Sequence, residues 1–447
     1  MITSPAFAGK RFAVLGLARS GLASVEALLA SGAEVTAWDG REEPRALVEG
    51  RATIADPLTL DLTGYAGIVV SPGVPLNRHP IRAHAAQYGV PVIGDIELFA
   101  QARAALPRHR VVGITGTNGK STTTALTTHL LREAGLPALM GGNIGLPILE
   151  QQPLQPNAAG DPVYVLELSS YQIDLTHSLN CEVAVLLNVT PDHLDRYDGF
   201  DGYVASKARL FGMQGLGQLA LVDYRAEVDL DVMRFAPDDH AFRFIDGIDL
   251  PGNQADWPSL QGPHNRANAA AAVGAVRFLG LDEATIEAGL KSFRGLPHRM
   301  ERVAEAGGVL FINDSKATNP ASTAPALAAY PRIHWIVGGL PKGDDLDDCA
   351  PWFNHVVQAY TIGEAGPRFA ELLEPVMPVR RSEMMCDAVR QAIDAAQPGD
   401  VVMLSPACAS FDQFRDFEAR GESFRQIVEA LTEDPSSPCP TDPVVPS

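Results

Sequence analysis

The stretch "GITGTNGKSTTT", residues 113–124, sets three glycines and a lysine ahead of one serine and three threonines. The preceding "HRVV" opens a short apolar run of strand character, and "ALTTHLLREAG" follows with helical spacing and a glycine stop. Strand, glycine loop and helix together hold phosphates, because the N–H groups of the loop and of the first helical turn point at one anion. The general pattern G-x-x-x-x-G-K-[ST] is met at Gly119, Lys120 and Ser121. Its first glycine is displaced: position 114 is Ile, and the glycines are Gly113 and Gly116. Lys120 is expected to reach the β- and γ-phosphates of a nucleotide, and the hydroxyl of Ser121 or Thr122 to ligate Mg²⁺. The competing reading is a glycine turn with an incidental lysine. The flanking strand and helix count against it.

On the N-terminal side, "KRFAVLGLARSG" reads as a buried strand, a turn at Gly16, Ala18 and Gly21, and a helix over 22–29. A second strand, "AEVTAWD", ends at Asp39, and "GIVVSPGVP" supplies another that ends in a turn at Ser71 to Gly73. The turn "GLARSG" lacks the middle glycine of G-x-G-x-x-G, where backbone must approach a pyrophosphate closely. A nicotinamide or flavin site is therefore not favoured. A nucleotide-sugar site and a tight turn without ligand both fit.

On the C-terminal side, "PVYVLELSSYQ" gives a strand ending at Glu167, and "CEVAVLLNVTPDHLDRY" gives another. "PHNRANAAAAVGAVRFLG" is an alanine-rich helix. A third block carries the strands "GVLFIND", "IHWIVGG", "VVQAYTIG" and "DVVMLSP". Alternating strands and helices predict an α/β fold with parallel sheets, right-handed crossovers and ligands at the carboxyl ends of the strands.

The chain has 447 residues, which points to two or three domains at roughly 100–200 residues each. Its formal net charge is -19, which disfavours nucleic acid as the main partner. The five cysteines are scattered and form no C-x-x-C pair, so neither a disulfide framework nor a zinc site is indicated. No apolar run approaches a membrane span and no secretory leader is evident. A soluble cytoplasmic protein is the expectation.

Together "GITGTNGKSTTT", "GGNIG", "LELSSYQ", "NVTPDHLDRY", "HNRANAAAA", "LPHRME", "FINDSKATNP" and "LSPACASFDQF" resemble the Mur ligases of peptidoglycan synthesis, over about residues 10 to 430. "DSKATNP" and "SPACASFDQF" point to the members that add D-glutamate to UDP-N-acetylmuramoyl-L-alanine. The resemblance implies an ADP-forming amide ligase working through an acyl phosphate, with ATP and Mg²⁺, two ions being expected. It implies three domains: a Rossmann-like UDP-binding domain at 1–104, a central phosphate-loop ATPase domain at 105–298 and a Rossmann-like amino-acid domain at 299–433. Residues 434–447 are expected to be a disordered tail. A monomer without nucleic-acid partner or stable membrane insertion is expected.

The resemblance also assigns roles. Lys120, His193 and Lys207 are the catalytic candidates, Lys207 as a carbamate. Metal ligands are Ser121, Glu167, His193 and the carbamate of Lys207. A carboxylate at a buried strand end is costly unless paired or metal-bound, which independently singles out Glu167. ATP contacts are Gly116, Thr117, Asn118, Gly119, Lys120, Ser121, Thr122, Asn268, Arg299, Asp314 and Lys316. The UDP-substrate is assigned to Leu15, Arg19, Ser20, Asp39, Arg41, Ser71, Gly73 and Asn143. D-glutamate is assigned to Thr318, Lys342, Ser410 and Phe417. Rival readings are a Mur ligase for another amino acid, a folylpolyglutamate synthase, a phosphate-loop kinase and a dinucleotide-dependent oxidoreductase.

Overall fold

The computed structural model describes residues 1–192, 196–223, 241–434 and 437. The chain divides into two compact units, one formed by Met1–Gly252 with Ala267–Leu290, the other by Asn253–Arg266 with the chain from Lys291 onward.

The first unit contains two parallel sheets. In the first, β1 (Arg11–Leu15), β2 (Glu34–Trp38), β3 (Thr53–Ile54), β4 (Tyr65–Val70) and β5 (Val92–Ile93) lie in the order β3-β2-β1-β4-β5. The order reverses at β1, so the ends of β1 and β4 flank a switch point where ligands of such sheets collect. After β1 the chain enters the helix Arg19–Ala30. A Cβ on Gly21 would fall 1.9 Å from the Gly16 carbonyl oxygen, so glycine is what lets this helix start so close to the strand end.

The second sheet comprises β6 (Arg110–Thr115), β7 (Ala138–Gly142), β8 (Val163–Glu167), β9 (Val183–Leu186), β10 (Leu219–Val222) and β11 (Ala241–Phe244), in the order β11-β10-β9-β6-β8-β7. Strands β8, β9 and β10 are buried on both faces, as a covered parallel sheet requires. The two sheets are joined at the helix Asp95–Ala102. There the Glu97 carboxylate accepts from the backbone N–H groups of His177 and Ser178, at 2.7 and 2.9 Å, and from the Ser178 hydroxyl at 2.7 Å. One apolar cluster runs through both layers and includes Phe12, Leu28, Phe99, Tyr164 and Phe211. Burying each such side chain stabilises the fold by roughly 1.5–3 kcal/mol.

The second unit contains β12 (Glu301–Ala306), β13 (Val309–Asn313), β14 (Ile333–Gly338), β15 (Val356–Ile362), β16 (Val379–Glu383) and β17 (Val401–Leu404), ordered β12-β13-β17-β14-β15-β16. All neighbours are parallel except β12 and β13. The one antiparallel pair has a local cause. Only Gly307 and Gly308 join the two strands, both at positive φ, and a two-residue turn of that kind returns the chain as a hairpin. Apolar clusters cover both faces of this sheet, one around Trp335 and Phe369, the other around Tyr360 and Phe424.

Cys181, Cys349 and Cys408 are free and buried. Cys386 is disulfide-bonded, which the scattered cysteine spacing did not foretell. Among the described residues no helix is long and apolar enough to cross a membrane. The expected tail at 434–447 falls almost wholly outside the described residues, and so does His193.

Candidate active site

The glycine loop after β6 runs straight into the helix Lys120–Glu133, as the sequence predicts. Gly119 caps that helix at φ 84, a left-handed conformation that favours glycine. A Cβ there would also lie 2.3 Å from Asn268 Oδ1, so the loop and the helix Pro263–Phe278 meet where only hydrogen fits. The loop is held from below by Asn188, at the end of β9. Thr117 N–H donates to its carbonyl at 2.9 Å and Asn118 N–H to its side-chain oxygen at 2.8 Å, while its amide donates back to the Asn118 carbonyl at 3.0 Å. Asn188 was not among the residues singled out from the sequence. Its place in "NVTPDH", one strand over from the glycine loop, was the signal available.

Lys120 folds back over the loop, donating to the carbonyls of Gly116 and Thr117 at 2.9 and 2.8 Å. Lys207, from the helix Gly199–Gly212, is buried and donates to the same Gly116 oxygen at 3.0 Å. Its ammonium also lies 4.4 Å from the Tyr203 ring centroid. Burial, with the Lys120 charge adding to it, pushes the Lys207 pKa down to about 7 against the pull of Asp192 and Asp174. Lys207 is therefore an interior amine, partly neutral near pH 7.

Glu167 ends β8 and is 3% exposed. Its Oε1 accepts from the Asn143 amide at 3.3 Å, and its backbone carbonyl from Asn143 N–H at 2.8 Å. Its Oε2 is buried with no hydrogen-bond partner among the described residues. An interior carboxylate oxygen left in that state is a place for a cation. Among the described residues no group of three His, Cys, Asp or Glu side chains is assembled around a metal position.

At the first sheet, Asp39 Oδ2 accepts from Leu17 N–H at 2.8 Å, and Oδ1 from Arg41 N–H at 3.0 Å. Burial pushes this carboxyl up, but the hydrogen bonds from Arg41 and Leu17 outweigh it and hold it below the usual carboxylate range. Ser71 hydroxyl donates to the Gly16 carbonyl at 2.7 Å, and Ser71 N–H to the Leu15 carbonyl at 3.0 Å, so the turns after β1 and β4 form one rim. Ser20 lies in the first turn of the helix after β1, next to Arg19. Arg19 donates to the Gly145 carbonyl at 3.0 Å, bringing that rim to the loop that carries Asn143.

In the second unit, Lys342 donates to the Thr318 hydroxyl at 3.2 Å, uniting the loops after β13 and β14. Lys316 lies 3.7 Å from the Phe417 ring centroid. Asp314 Oδ2 accepts from the Ser405 hydroxyl at 2.8 Å and Oδ1 from Met300 N–H at 3.1 Å, next to Arg299 in the chain. Burial pushes the Asp314 carboxyl up to about 7, although Ser405 and Arg299 favour its charge. Ser410 is buried in the loop after β17. Behind these loops sits Arg420, 1% exposed and also missed from sequence. Its guanidinium donates to the Ser315 hydroxyl and carbonyl at 3.0 and 2.8 Å and to the carbonyls of Cys408 and Ala409 at 3.0 Å each. A buried cation whose charge is spread over carbonyls braces both loops at once.

Three family models match the chain in order: Mur ligase MurD-like, N-terminal domain, over residues 10–94; Mur ligase middle domain over 114–246; and Mur ligase, glutamate ligase domain, over 298–408. The chain is 72% identical to a UDP-N-acetylmuramoylalanine--D-glutamate ligase of Novosphingobium aromaticivorans, over 98% of its own length and 99% of the relative's. It is 55% identical to the protein of the same name from Zymomonas mobilis, over 96% and 100%. Among solved structures, the UDP-N-acetylmuramate-alanine ligase of Thermotoga maritima shares the fold at TM-score 0.57 and 16% identity, covering 94% of this chain and 99% of that one.

Proposed function

Because the chain belongs to the Mur ligase family, we propose that it joins D-glutamate to UDP-N-acetylmuramoyl-L-alanine, using ATP, as a cytoplasmic, monomeric enzyme of peptidoglycan precursor synthesis. The observation that carries this reading is the near full-length 72% identity to a ligase of that name. The phosphate loop with Lys120, set beside the buried carboxylate of Glu167, gives it a physical basis.

The chemistry follows from the groups available. A carboxylate oxygen of the UDP-substrate bonds to the γ-phosphorus of ATP, the bond to the bridging oxygen breaks, and ADP leaves. The amine of D-glutamate then bonds to the acyl carbon. The tetrahedral intermediate loses phosphate, the nitrogen loses its proton, and an amide remains. Two anions must meet in the first step, so cations have to neutralise the transferring group. Lys120 and the loop from Gly116 to Thr122 are assigned to the phosphates, the Thr117 and Asn118 N–H groups being held by Asn188 and Asn268 closing the loop. Arg299, Asp314 and Lys316 are also assigned to the nucleotide.

Mg²⁺ fits the donor set: Oε2 of Glu167, without a partner among the described residues, and the hydroxyl of Ser121 are hard oxygen donors. When bound, the ion would neutralise phosphoryl charge. The lowered pKa of Lys207 supports its reading as a carbamate, because only a neutral amine adds CO₂ and the product is an oxygen donor. Lys342, Thr318, Ser410 and Phe417 are assigned to D-glutamate, the Lys342 ammonium meeting a carboxylate. Leu15, Arg19, Ser20, Asp39, Arg41, Ser71, Gly73 and Asn143 are assigned to the UDP-substrate. The three-domain division at 1–104, 105–298 and 299–433 belongs to the same proposal.

The test is phosphate release with ATP, Mg²⁺ and UDP-N-acetylmuramoyl-L-alanine, comparing D-glutamate with L-glutamate, lysine, diaminopimelate and no amino acid. Release that depends on D-glutamate alone is expected. Release with a different amino acid would move the substrate assignment, and release with none would remove it.

A further inference from the structure

We infer that Arg196 is a positioning residue for the UDP-substrate, clamping the loop after β4 so that the Gly73 amide faces the substrate's phosphates. The inference rests on the reading of Ser71 and Gly73 as substrate contacts. Arg196 belongs to the stretch after β9 in the second sheet, but its side chain reaches the first. Nη1 donates to the carbonyl oxygens of Pro72 and Val74 at 3.3 and 3.5 Å, and Nη2 to that of Gly73 at 3.2 Å. Three successive carbonyls are thus turned toward one guanidinium.

The guanidinium is itself held in place. It lies 4.4 Å from the Tyr171 ring centroid, and Tyr171 stacks on Tyr197 with centroids 6.1 Å apart and planes 10° from parallel. Tyr197 hydroxyl donates to Asp174 Oδ2 at 3.0 Å, and the Ser206 hydroxyl donates to Tyr197 at 3.3 Å. The clamp is therefore a planar fork on an aromatic platform anchored in the second sheet's helices. A lysine, with a single point charge, would not reproduce it.

The consequence for Gly73 follows from peptide geometry. The described residues contain no cis peptide bond. In a planar trans peptide, C=O and N–H point in opposite directions. With the Pro72 carbonyl directed at Arg196, the Gly73 N–H is directed away from it. Gly73 is exposed, and a Cβ built on it would meet nothing within 4 Å. The rest of the loop is already committed: Ser71 N–H to the Leu15 carbonyl, the Ser71 hydroxyl to Gly16, and Val74 N–H to the Ser71 carbonyl at 3.0 Å. A cation at the carbonyl end of a peptide also polarises it, making its N–H the stronger donor. An open glycine N–H strengthened in this way suits close approach of a pyrophosphate. Arg196 acts on the substrate only through this loop.

The experiment is steady-state kinetics of full-length Arg196→Ala, Arg196→Lys and Tyr171→Leu, with UDP-N-acetylmuramoyl-L-alanine varied at saturating ATP and D-glutamate. Calorimetric binding of that compound and hydrogen exchange of the Ser71 and Val74 amides accompany it. Arg196→Ala is expected to raise the KM for the UDP-substrate about 10- to 100-fold, with kcat and the KM for ATP changed by no more than about threefold. Arg196→Lys should recover part of the loss, and Tyr171→Leu should shift KM the same way by less. Exchange of the Ser71 and Val74 amides should quicken in all three variants. An unchanged KM for the UDP-substrate in folded variants, or an equal loss of ATP binding, would overturn the inference. Unchanged exchange would overturn the clamp without any substrate being present. If the wild-type protein fails to bind the UDP compound, the substrate reading falls, and the phosphate-facing role of Gly73 falls with it.

Discussion

Lys120 and Lys207 donate to one and the same carbonyl oxygen, that of Gly116, at 2.9 and 3.0 Å. Two ammonium groups converging on one acceptor repel each other, and burial deepens the cost for Lys207. The arrangement relaxes if Lys207 gives up its charge and if Lys120 turns toward an incoming phosphate. The Lys207→Arg variant keeps the cation and forbids a carbamate. It is expected to retain ATP binding but lose kcat by at least about 100-fold. A carbamate carbon resonance from ¹³C-bicarbonate should be present in wild type and absent in this variant. Retention of full activity by Lys207→Arg would remove the lysine from the chemistry.

Lys342 reaches the Thr318 hydroxyl and carries the charge a dicarboxylate needs. Lys342→Ala is expected to raise the KM for D-glutamate about 10- to 100-fold while leaving the KM for ATP near wild type. Initial-rate kinetics with each substrate varied in turn measures this. An equal fall in kcat with unchanged KM would count against a binding role.

Asp95 is fully buried, with neither carboxylate oxygen hydrogen-bonded among the described residues. Burial pushes its pKa up to about 6 from the usual 3.8, against weaker help from the Ile96 N–H and Gln172. Because the folded value is the higher one, the folded state binds the proton more tightly. This group therefore favours folding fully below about pH 4, and the benefit is lost as pH rises through about 6. Asp95→Asn is expected to melt about 2–4 °C above wild type at pH 7.5, and the gap should narrow as pH falls below about 6 and close near pH 4. Melting curves of both proteins across that range check it.

Arg420 braces the loops after β13 and β17 through four hydrogen bonds to Ser315, Cys408 and Ala409. Arg420→Lys keeps a charge but not the fork, and is expected to destabilise the protein by about 2–4 kcal/mol in denaturant unfolding. Where the variant stays folded, weaker D-glutamate binding should accompany the loss. A change under about 0.5 kcal/mol would mean that the loops hold without it.

The elements that were legible in the sequence are those whose signals are local. The β6 strand, the glycine loop and the helix from Lys120 lie within one short stretch, and period, glycine and cap together specify them. The strands ending at Glu167 and Asn313 announced themselves as apolar runs. The strands β3, β5, β7, β10, β11, β12 and β16 did not. The charged alternation of β12 and β16 resembles loop composition, and β3 and β5 have two residues each.

By itself, then, the sequence determined the α/β class, the phosphate loop and the strand-end residues that could carry chemistry, because turn glycines and side-chain periodicity act between near neighbours. Tertiary structure alone decided who meets whom. Arg196 finds the carbonyl of Gly73 across 123 positions and Arg420 that of Ser315 across 105. It made Lys207 an interior amine and left one oxygen of Glu167 without a partner among the described residues. Such pairings depend on which strand ends the sheet order brings side by side. Local pattern does not encode that order, because helix and strand periods are the same in every arrangement of the sheet.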